Sequence, residues 1–499
     1  MKKNNILFIF GLCVLLFSCN DAIDIKQPGR LSADAAFETV DDLEAGIYGV
    51  YSQYDLTPEI AFASIFTDEL SIGFDNGGQG LADYGFVLNA GSTAPAVFWT
   101  GGYAAINAAT RLIEASKLIE PDASELSRYN DIVGQAYALR AFAHFYLLSY
   151  FSTDLTDDNA LGVIAVDFIP SIDQQLLRNT NGEVFTLINS DLTKASSLLS
   201  NSFDPLFVGK DFVNALSARI AASRGDYSTA ATLAQNLLTK FPLASRAAYE
   251  GIFLDSDNSE VIFKLERTRN DVYDGQGATG SVAASGWAGA RFAFVDATLD
   301  GSPYFEMGRS LFNLIDPADI RYDVNVAPTS IVDPNYTTSA DPSSTDILVI
   351  QKYPGSEGQP LMNDLKVFRS SEMLLILAEA RADAGTINGA SNSTAALIKQ
   401  LRDARFGTDQ PLPNYANQTE AFADILNERR VEFAFEGHRY RDLKRLGARA
   451  NQGVLKDPID CALNGACSLP ATDFKFTLPL PIVEFNANPG LRAQQNPGY

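Results

Sequence analysis

One glycine-rich segment has the spacing of a nucleotide-binding loop. Gly275, Gly277 and Gly280 form the pattern G-x-G-x-x-G, and Asp296 follows at about the distance where a dinucleotide fold places its ribose-binding carboxylate. That chemistry requires a strand before the glycines and a helix after them, because the helix N-terminus binds the pyrophosphate. Here a polar stretch precedes the pattern and another glycine-rich stretch follows it. We therefore predict a flexible loop without nucleotide chemistry.

A second segment has the spacing of a calcium-binding loop. Asp255, Asp257, Ser259 and Glu266 fit that spacing, but Glu260 occupies the position that requires glycine. A turn leading into a strand is the better interpretation. The chain has only two His and four Cys, and it lacks the Walker A, G-x-S-x-G and H-E-x-x-H patterns. No spacing singles out a glycosidase pair among its 61 acidic residues, so no catalytic, metal or cofactor site is indicated.

The charge balance is strongly acidic. The 499 residues include 61 Asp and Glu against 38 Lys and Arg, which gives a net charge of −23. A nucleic-acid binder needs a basic surface to contact phosphates, so that class of protein is disfavoured. With 46% hydrophobic residues, the chain can bury a large core, and we expect a folded globular protein.

The N-terminus has the pattern of a bacterial lipoprotein signal. Two lysines precede an apolar run that ends at Phe17 and that is shorter than the about 20 residues needed to cross a bilayer. Cys19 follows a small residue, as in a lipobox, where the cysteine carries the lipid. We predict a signal peptide over residues 1–18, an acylated Cys19 and a tether over residues 19–34. An ordinary secretory signal with an incidental cysteine is the alternative.

Two further thiols lie in the folded part of the chain. Cys461 and Cys467 are close together in sequence, and exported proteins fold in an oxidising compartment where such pairs form disulfides. We predict a Cys461–Cys467 disulfide that closes a small loop. Two unpaired thiols are the alternative.

The remaining sequence predicts a mainly α-helical protein. Apolar residues recur at helical spacing in nine segments, and the second half of Leu126–Phe151 is apolar almost all round, as expected for a helix between neighbours. The predicted helices cover Ala35–Tyr54, Phe98–Ile119, Leu126–Phe151, Gly182–Leu199, Val213–Arg224, Ser228–Lys240, Phe368–Ala384, Ser393–Phe406 and Thr419–Phe435. One strand is predicted over Glu260–Arg267, and Phe474–Tyr499 is predicted to form a short strand and an extended tail.

Loop-rich parts interrupt this helical framework. Glycines punctuate Asp68–Pro95, which predicts a long loop within residues 68–97, and a second loop-rich part covers about residues 255–365. The framework occupies about residues 35–250 and 365–450. Residues 35–499 are predicted to form a single domain.

One turn between helices has the pattern of a tetratricopeptide repeat. Gly225, Asp226 and Tyr227 are followed by small residues at Ala230 and Ala234, which allow two helices to approach closely. A divergent repeat is our interpretation, and an unrelated helical hairpin is the alternative.

Charged residues alternate in sign near the C-terminal end of the last predicted helix. Arg430, Glu432, Glu436 and Arg439 are among them. Apolar neighbours indicate burial, and buried charges are costly unless each is paired. We predict that these four residues form a buried ion-pair network, with a solvated helix face as the alternative.

Taken together, these features resemble the SusD/RagB family of outer-membrane nutrient-binding lipoproteins. The resemblance runs from the lipobox to the C-terminus, and its C-terminal motifs are the most specific. It rests on Cys19; Trp99, Tyr103, Ile106, Asn107 and Ile113; Ala138–Phe142; Asp191, Leu192 and Ala195; Gly225–Tyr227; Arg369–Ala380; Leu401 and Arg402; Glu428–Leu443; Leu478–Pro481; Asn488 and Pro489; and Gln495–Tyr499.

The resemblance implies both a fold and a function. The fold is a SusD-like, mainly α-helical body with four tetratricopeptide-like helix pairs, minor β-structure and long ligand-binding loops. The function is that of a non-catalytic lipoprotein, facing the exterior of the outer membrane, that captures oligosaccharides. It would pass them to a partner, a SusC-like TonB-dependent transporter. The same scaffold binding peptides for uptake is the alternative, and no cofactor is implied.

Candidate ligand-binding residues lie in the loop-rich parts. A sugar ring has an apolar face of C–H groups, so its binding needs flat aromatic rings together with polar side chains for the hydroxyls. Trp287 is the first choice, because glycines and small residues around it should leave its face uncovered. The other candidates are Phe74, Asp75, Asn76 and Tyr84 in the early loop and Tyr273, Arg291, Phe292 and Tyr304 in the later part. Local packing within the loops is the alternative for each.

Two further classes of protein remain in competition. A surface glycosidase would need a convergent carboxylate pair, which the sequence does not reveal. A tetratricopeptide scaffold for protein assembly would leave the long glycine-rich loops unexplained. Products after incubation with glycans would indicate an enzyme, whereas reversible binding would indicate a receptor.

Overall fold

Helices dominate the structure, which is a computed structural model that describes residues 37–171, 173–269, 286–292 and 303–499. The α-helices in these ranges are α1 (Val40–Tyr51), α2 (Thr57–Phe66), α3 (Leu81–Tyr84), α4 (Thr93–Ser116), α5 (Leu126–Phe151), α6 (Asn181–Leu198), α7 (Lys210–Ser223), α8 (Tyr227–Lys240), α9 (Arg246–Phe253), α10 (Arg309–Phe312), α11 (Ile320–Asn325), α12 (Pro342–Thr345), α13 (Ser370–Asp383), α14 (Thr394–Phe406), α15 (Gln418–Glu432), α16 (Arg439–Ala450) and α17 (Ile482–Ala487). The predicted mainly α-helical fold is thus confirmed. None of these helices is long and apolar enough to cross a bilayer.

Local sequence sets where several helices begin. The Thr39 hydroxyl accepts a hydrogen bond from the Asp42 amide, and the Asp42 carboxylate accepts one from the Thr39 amide, which forms a capping box at the start of α1. Thr180 and Glu183 form the same arrangement at α6. These caps satisfy amides that a helix start leaves without partners.

The helices pack as successive antiparallel hairpins. Helix α5 packs against α4 and α6, and the buried Arg140 of α5 forms a bidentate ion pair with Asp191 of α6 at 2.8 Å. The predicted hairpin between α7 and α8 is present, and its turn uses Gly225 with φ of 76°, a backbone conformation that favours glycine. Helix α8 then packs on α13, which also contacts α14 and α15.

The β-structure consists of small antiparallel pairs. Within the described ranges, the strands are β1 (Leu70–Ile72), β2 (Val261–Leu265), β3 (Phe305–Met307), β4 (Leu365–Arg369), β5 (Val454–Leu455) and β6 (Ser468–Leu469). They pair as β1 with β3, β2 with β4 and β5 with β6. The first pair connects the two loop-rich parts of the chain.

Several predicted elements differ from the structure. The expected long loop Asp68–Pro95 contains β1 and α3, and α4 begins within it. The C-terminal stretch forms short 3₁₀ turns and α17 instead of a strand and an extended tail. Helix α2 was not predicted, because nearly every residue in it is buried and no exposed polar face marks a helical period.

Of the four residues of the predicted ion-pair network, Arg430, Glu432 and Arg439 are buried and Glu436 is half-buried, but they do not pair with one another. Arg430 and Arg439 contact Asp68, with 2.8 Å from Arg439 Nε to Asp68 Oδ1. Burial would raise the pKa of Asp68, but these two guanidinium groups outweigh it and hold the pKa at about 2. These contacts therefore fix α15 and α16 to Asp68, two residues before β1.

The two glutamates of the predicted network have other partners. Glu432 accepts hydrogen bonds from Arg369 and Arg405, each at 2.8 Å from Oε1, and Glu436 accepts one from Arg369 at 2.8 Å. Glu260 contacts both arginines from the start of β2. Since every one of these charges is compensated, the cluster can remain buried, and it joins β2, β4, α14 and α15.

Candidate ligand-binding site

The two predicted glycine-rich parts meet at the β1–β3 pair. Ser71 lies opposite Glu306 in this register, and beyond it the Gly73 amide donates to the Tyr304 carbonyl at 2.9 Å. A Cβ atom on Gly73 would lie 2.1 Å from the Pro303 oxygen, so this approach of the two chains requires glycine. The structure thus brings the early and the later loop-rich parts of the chain together. No sequence pattern had indicated this pairing.

Phe74 projects from the turn that follows this contact. Its side chain is 64% exposed, the largest exposed fraction of any aromatic residue in the ranges that the structure describes. An exposed ring of this kind is an apolar surface available to a ligand. Asp75 beside it is half-buried, which leaves a carboxylate edge near the ring.

The turn that carries Phe74 is braced by its own polar residue. The buried Asn76 donates from Nδ2 to the Tyr304 carbonyl at 2.9 Å and accepts from the Gly78 amide at 3.1 Å. Gly78 has φ of 90°, where a side chain would be strained. Asn76 therefore holds the loop in place, and we define residues 73–80 as the Phe74 loop.

A buried carboxyl lies beneath the same loop. Burial, with further contributions from Asp346 and Asp460, raises the pKa of Glu306 to about 8, although the backbone amides of Leu348 and Phe74 act in the opposite direction. Glu306 is therefore mostly protonated at neutral pH. Sequence reasoning missed this residue, and the only available signal was an acidic residue within an otherwise apolar strand.

Tyr84, at the end of α3 after the Phe74 loop, is not available to a ligand. It is fully buried, and its hydroxyl donates to the Asp460 carbonyl at 2.7 Å. The Lys456 ammonium lies 3.4 Å from the centre of the Tyr84 ring. Tyr84 was predicted as a candidate for ligand contact, and its burial corrects that prediction.

The segment that Tyr84 contacts is closed by a disulfide. Cys461 and Cys467 are bonded, with 5.1 Å between their Cα atoms, as the sequence had led us to expect. The disulfide loop starts directly after Asp460, so it supports the residue to which Tyr84 is hydrogen-bonded.

Trp287, the first candidate from sequence, is buried. Only 6% of its surface is exposed, and it packs with Ala290, Leu361 and Met362. Its Nε1 donates to the Thr268 carbonyl at 3.3 Å. A Cβ atom on the nearby Gly289 would lie 2.7 Å from the Leu361 oxygen. The small residues around Trp287 thus allow another part of the chain to approach, whereas we had expected them to leave the ring uncovered.

The other candidates of the later part are mostly structural too. Phe292 is buried, with 5.5 Å between its ring centre and that of Phe435. Tyr304 is buried, and its carbonyl accepts the two hydrogen bonds that hold the Phe74 loop. Arg291 is half-buried. Tyr273, Asp296, the Gly275–Gly280 pattern and the predicted lipidation site Cys19 lie outside the described residues.

A separate cavity of about 420 Å³ lies between the start of α2, α4 and α5. Its aromatic lining includes Tyr54 and Phe98, which are core residues. The carboxylate of Asp55 is already occupied by the Thr57 amide and by Arg267. Few polar groups remain to recognise a ligand there, so the Phe74 loop is the better candidate site. No group of acidic, His or Cys side chains in the described ranges could hold a metal ion.

Comparison with known proteins gives the same fold from sequence and from structure. Residues 324–499 match the SusD family, and residues 24–221 match a family described as starch-binding and associating with the outer membrane. SusD-like protein P2 of Formosa agariphila is 26% identical over all of both chains, and SusD-like protein P38 of the same organism is 24% identical over 89% of this chain and 92% of its own.

Solved structures support the fold over nearly the whole chain. A SusD superfamily protein from Bacteroides thetaiotaomicron superposes with a TM-score of 0.73 at 22% identity, over 92% of this chain and all of its own. A laminarin-binding SusD-like protein superposes with a TM-score of 0.67 at 20% identity, over 93% of this chain and all of its own.

The helical framework is that of the SusD-like fold, and proteins of the SusD family are non-catalytic binding proteins. The two family matches lie in different parts of the chain and both describe SusD-like proteins, so the chain is similar to the SusD/RagB family over most of its length.

Proposed function

We propose that this protein captures neutral oligosaccharides at the cell surface and passes them to a SusC-like TonB-dependent transporter. The observation that carries the ligand proposal is Phe74, a ring that the fold leaves open while bracing its backbone on both sides. Such a ring can stack on the apolar face of a sugar, and the adjacent Asp75 can accept hydrogen bonds from hydroxyls. Preorganisation of the loop reduces the entropy lost on binding.

Proteins that are similar to this chain support the ligand class. One matched family is described as starch-binding, and solved relatives include a laminarin-binding protein and surface glycan-binding protein A from Bacteroides fluxus. We extend the glycan chemistry named for those proteins to this one. The net charge of −23 adds a preference for uncharged glycans, because like charges repel.

Peptides are the second candidate ligand. Both tryptophans of the chain are buried. The indole ring, which is best suited to stacking on sugars, is therefore not exposed to a ligand at either position. A phenylalanine platform is also able to receive an apolar side chain of a peptide. Oligosaccharides and peptides differ in their polar groups, and direct binding measurements distinguish between the two ligand classes.

Isothermal titration with laminarihexaose, maltoheptaose and a mixed pool of peptides tests the ligand class. We expect one of the oligosaccharides to bind without being cleaved and the peptides not to bind. Phe74→Ala should weaken that binding, whereas Phe168→Ala, which removes another exposed phenylalanine outside both loop-rich parts, should not. Binding of peptides alone would establish the second candidate, and released shorter sugars would overturn the assignment as a receptor.

We also propose attachment to the outer membrane through an acylated Cys19, because the signal pattern ends directly before this residue. Metabolic labelling with a palmitate analogue should label the wild-type protein and not Cys19→Ala, which should no longer fractionate with outer membranes. Co-purification of the wild-type protein with a TonB-dependent transporter tests the partnership. Labelling of the Cys19→Ala protein would contradict this anchor.

A further inference from the structure

A cleft of about 240 Å³ lies between α1, α5 and the segment of residues 199–209, in a part of the fold that shares no residue with the Phe74 loop. We call it the Tyr48 cleft. It is lined by the aromatic rings of Tyr48 and Phe207, by the carboxylates of Glu44, Asp131 and Asp204, and by small hydroxyl side chains. Asp131 accepts a hydrogen bond from the Ser200 amide at 2.5 Å and Asp204 accepts one from the Leu206 amide, so these two carboxylates brace the segment as well as line the cleft.

The two aromatic rings of the cleft are partly open to solvent. Tyr48 is 51% exposed and Phe207 is 38% exposed, and their ring centres are 6.2 Å apart. Together they form an open aromatic surface beside acidic groups. Aromatic surfaces of this kind at a concave, polar-rimmed position mark binding sites.

The segment that carries Phe207 is held in place by hydrogen bonds. The Tyr51 hydroxyl donates to Gln135 Oε1 at 2.6 Å and accepts from the Val208 amide at 2.8 Å. The Asp204 carbonyl accepts from the Phe207 amide at 3.2 Å, and its carboxylate accepts from the Leu206 amide at 2.9 Å. Phe207 is therefore fixed before any ligand arrives, as a preorganised site requires.

The charges of the cleft select against anionic ligands. Glu44, Asp131 and Asp204 are acidic, and the nearby Arg128 is occupied by ion pairs with Asp41, Glu44 and Glu125. A uronic acid or a sulfated sugar would meet these carboxylates, and none of the residues that line the cleft is cationic. A neutral sugar offers hydroxyl donors to these carboxylates and a C–H face to the rings.

We propose that the Tyr48 cleft is a second binding site for neutral sugars, separate from the Phe74 loop. Its volume is slightly below the about 300 Å³ at which small-molecule pockets begin, so it takes the end of a glycan or a single ring and its neighbour. The ligand class rests on the proposed function, but the site rests on its own lining. Two separate sites on one molecule would raise the retention of a long glycan through multivalency.

The experiment uses crystals of the wild-type protein soaked in maltose, in laminaribiose and in glucuronic acid as the charged control. We expect either neutral disaccharide in the Tyr48 cleft and no glucuronic acid there. Sugar at Phe74 with an empty cleft would overturn this second site and leave the proposed function intact. Empty density at both positions would overturn both.

Solution titration with the disaccharide that binds distinguishes a functional site from occupancy at high concentration. Tyr48→Ala should weaken binding at the cleft at least tenfold, while Phe203→Ala, an exposed ring of the same segment outside the cleft lining, should leave it unchanged. Melting curves check that both variants fold. Equal affinities of wild type and Tyr48→Ala would mean binding at crystal concentration only and would overturn the proposal.

Discussion

The Phe74 loop and the segment of residues 286–292 that carries Trp287 have similar compositions and opposite outcomes. Both are rich in glycine and small residues, and each carries a large aromatic side chain. Phe74 is exposed, whereas Trp287 is covered by Leu361 and Met362. The difference lies in what approaches the glycines.

At Gly73 the approaching group is the backbone of Pro303. At Gly289 it is Leu361, which brings apolar side chains onto the indole ring. Glycine content therefore predicts where two parts of a chain come close, and it does not predict which neighbouring side chain stays open. An aromatic residue in such a segment is a candidate for binding only after its partners are known.

The largest effect that separates the two regions is expected from Trp287→Ala. Removal of a buried tryptophan leaves a cavity, and such changes cost about 3 to 5 kcal/mol in the free energy of unfolding. We expect a lower midpoint in urea, and an oligosaccharide affinity of the folded protein that stays within about twofold. A tenfold loss of affinity at an unchanged midpoint would mean that Trp287 contacts the ligand after all.

Phe74→Ala should give the opposite pattern. Loss of an exposed platform ring should remove about 2 kcal/mol of binding free energy, which is more than tenfold in affinity. The unfolding midpoint should not change, because exposed side chains contribute little to the core. Titration and thermal melts on the same preparation measure both quantities. If Phe74→Ala destabilises the protein as much as Trp287→Ala does, the comparison fails.

Sequence alone predicted the helical framework of this molecule and only part of its candidate ligand-binding site. The predicted bounds of α5 match the observed ones, and the C-terminal motifs carried the resemblance to the family. The pairing of β1 with β3 joins residues that are more than 200 positions apart, and nothing in either strand encodes that partner. Trp287 and Tyr84 were misjudged for the same reason, because their burial depends on Leu361 and Asp460.

The partners of the buried charges show the same limit. The run that contains Arg430 and Glu432 indicated burial and pairing correctly, since charges placed among apolar residues must be compensated. It suggested partners within the run, but the actual partners are Asp68, Arg369 and Arg405. Local sequence therefore predicts that a charge is paired, and the fold decides with which residue.

The disulfide offers a finer test of how the Phe74 loop is held. Substitution of both Cys461 and Cys467 by Ser opens a small loop, and the unfolded chain gains an entropy worth about 2 kcal/mol. Because Tyr84 is hydrogen-bonded next to this loop, we expect the affinity at Phe74 to fall by a few-fold while the packing of Trp287 is unaffected. Hydrogen exchange should show faster exchange at residues 81–85 and unchanged exchange at 288–292. Faster exchange in both regions would mean that the disulfide supports the whole structure.

The smallest effect concerns pH, and it also distinguishes the two regions. Glu306 beneath the Phe74 loop has a pKa of about 8 in the folded protein, against 4.5 as its ordinary value, because it is buried. Between these values the folded state holds a proton that the unfolded state has released, so the free energy of unfolding falls as the pH rises. This contribution is fully present below pH 4.5 and is lost as the pH rises through 8. From pH 7 to pH 8 the loss from one such group is less than about 1.4 kcal/mol.

Glu306→Gln, which cannot ionise, should show a flatter decline in stability over this interval than the wild type. It should also keep its oligosaccharide affinity at pH 8.5, where the wild type carries a buried negative charge under Phe74. Glu120→Gln, at an exposed position, is the matched control and should follow the wild type. A parallel decline in the stability of Glu306→Gln and of the wild type would mean that Glu306 does not hold its proton to neutral pH. The Phe74 loop would then be as insensitive to ionisation as the segment that carries Trp287.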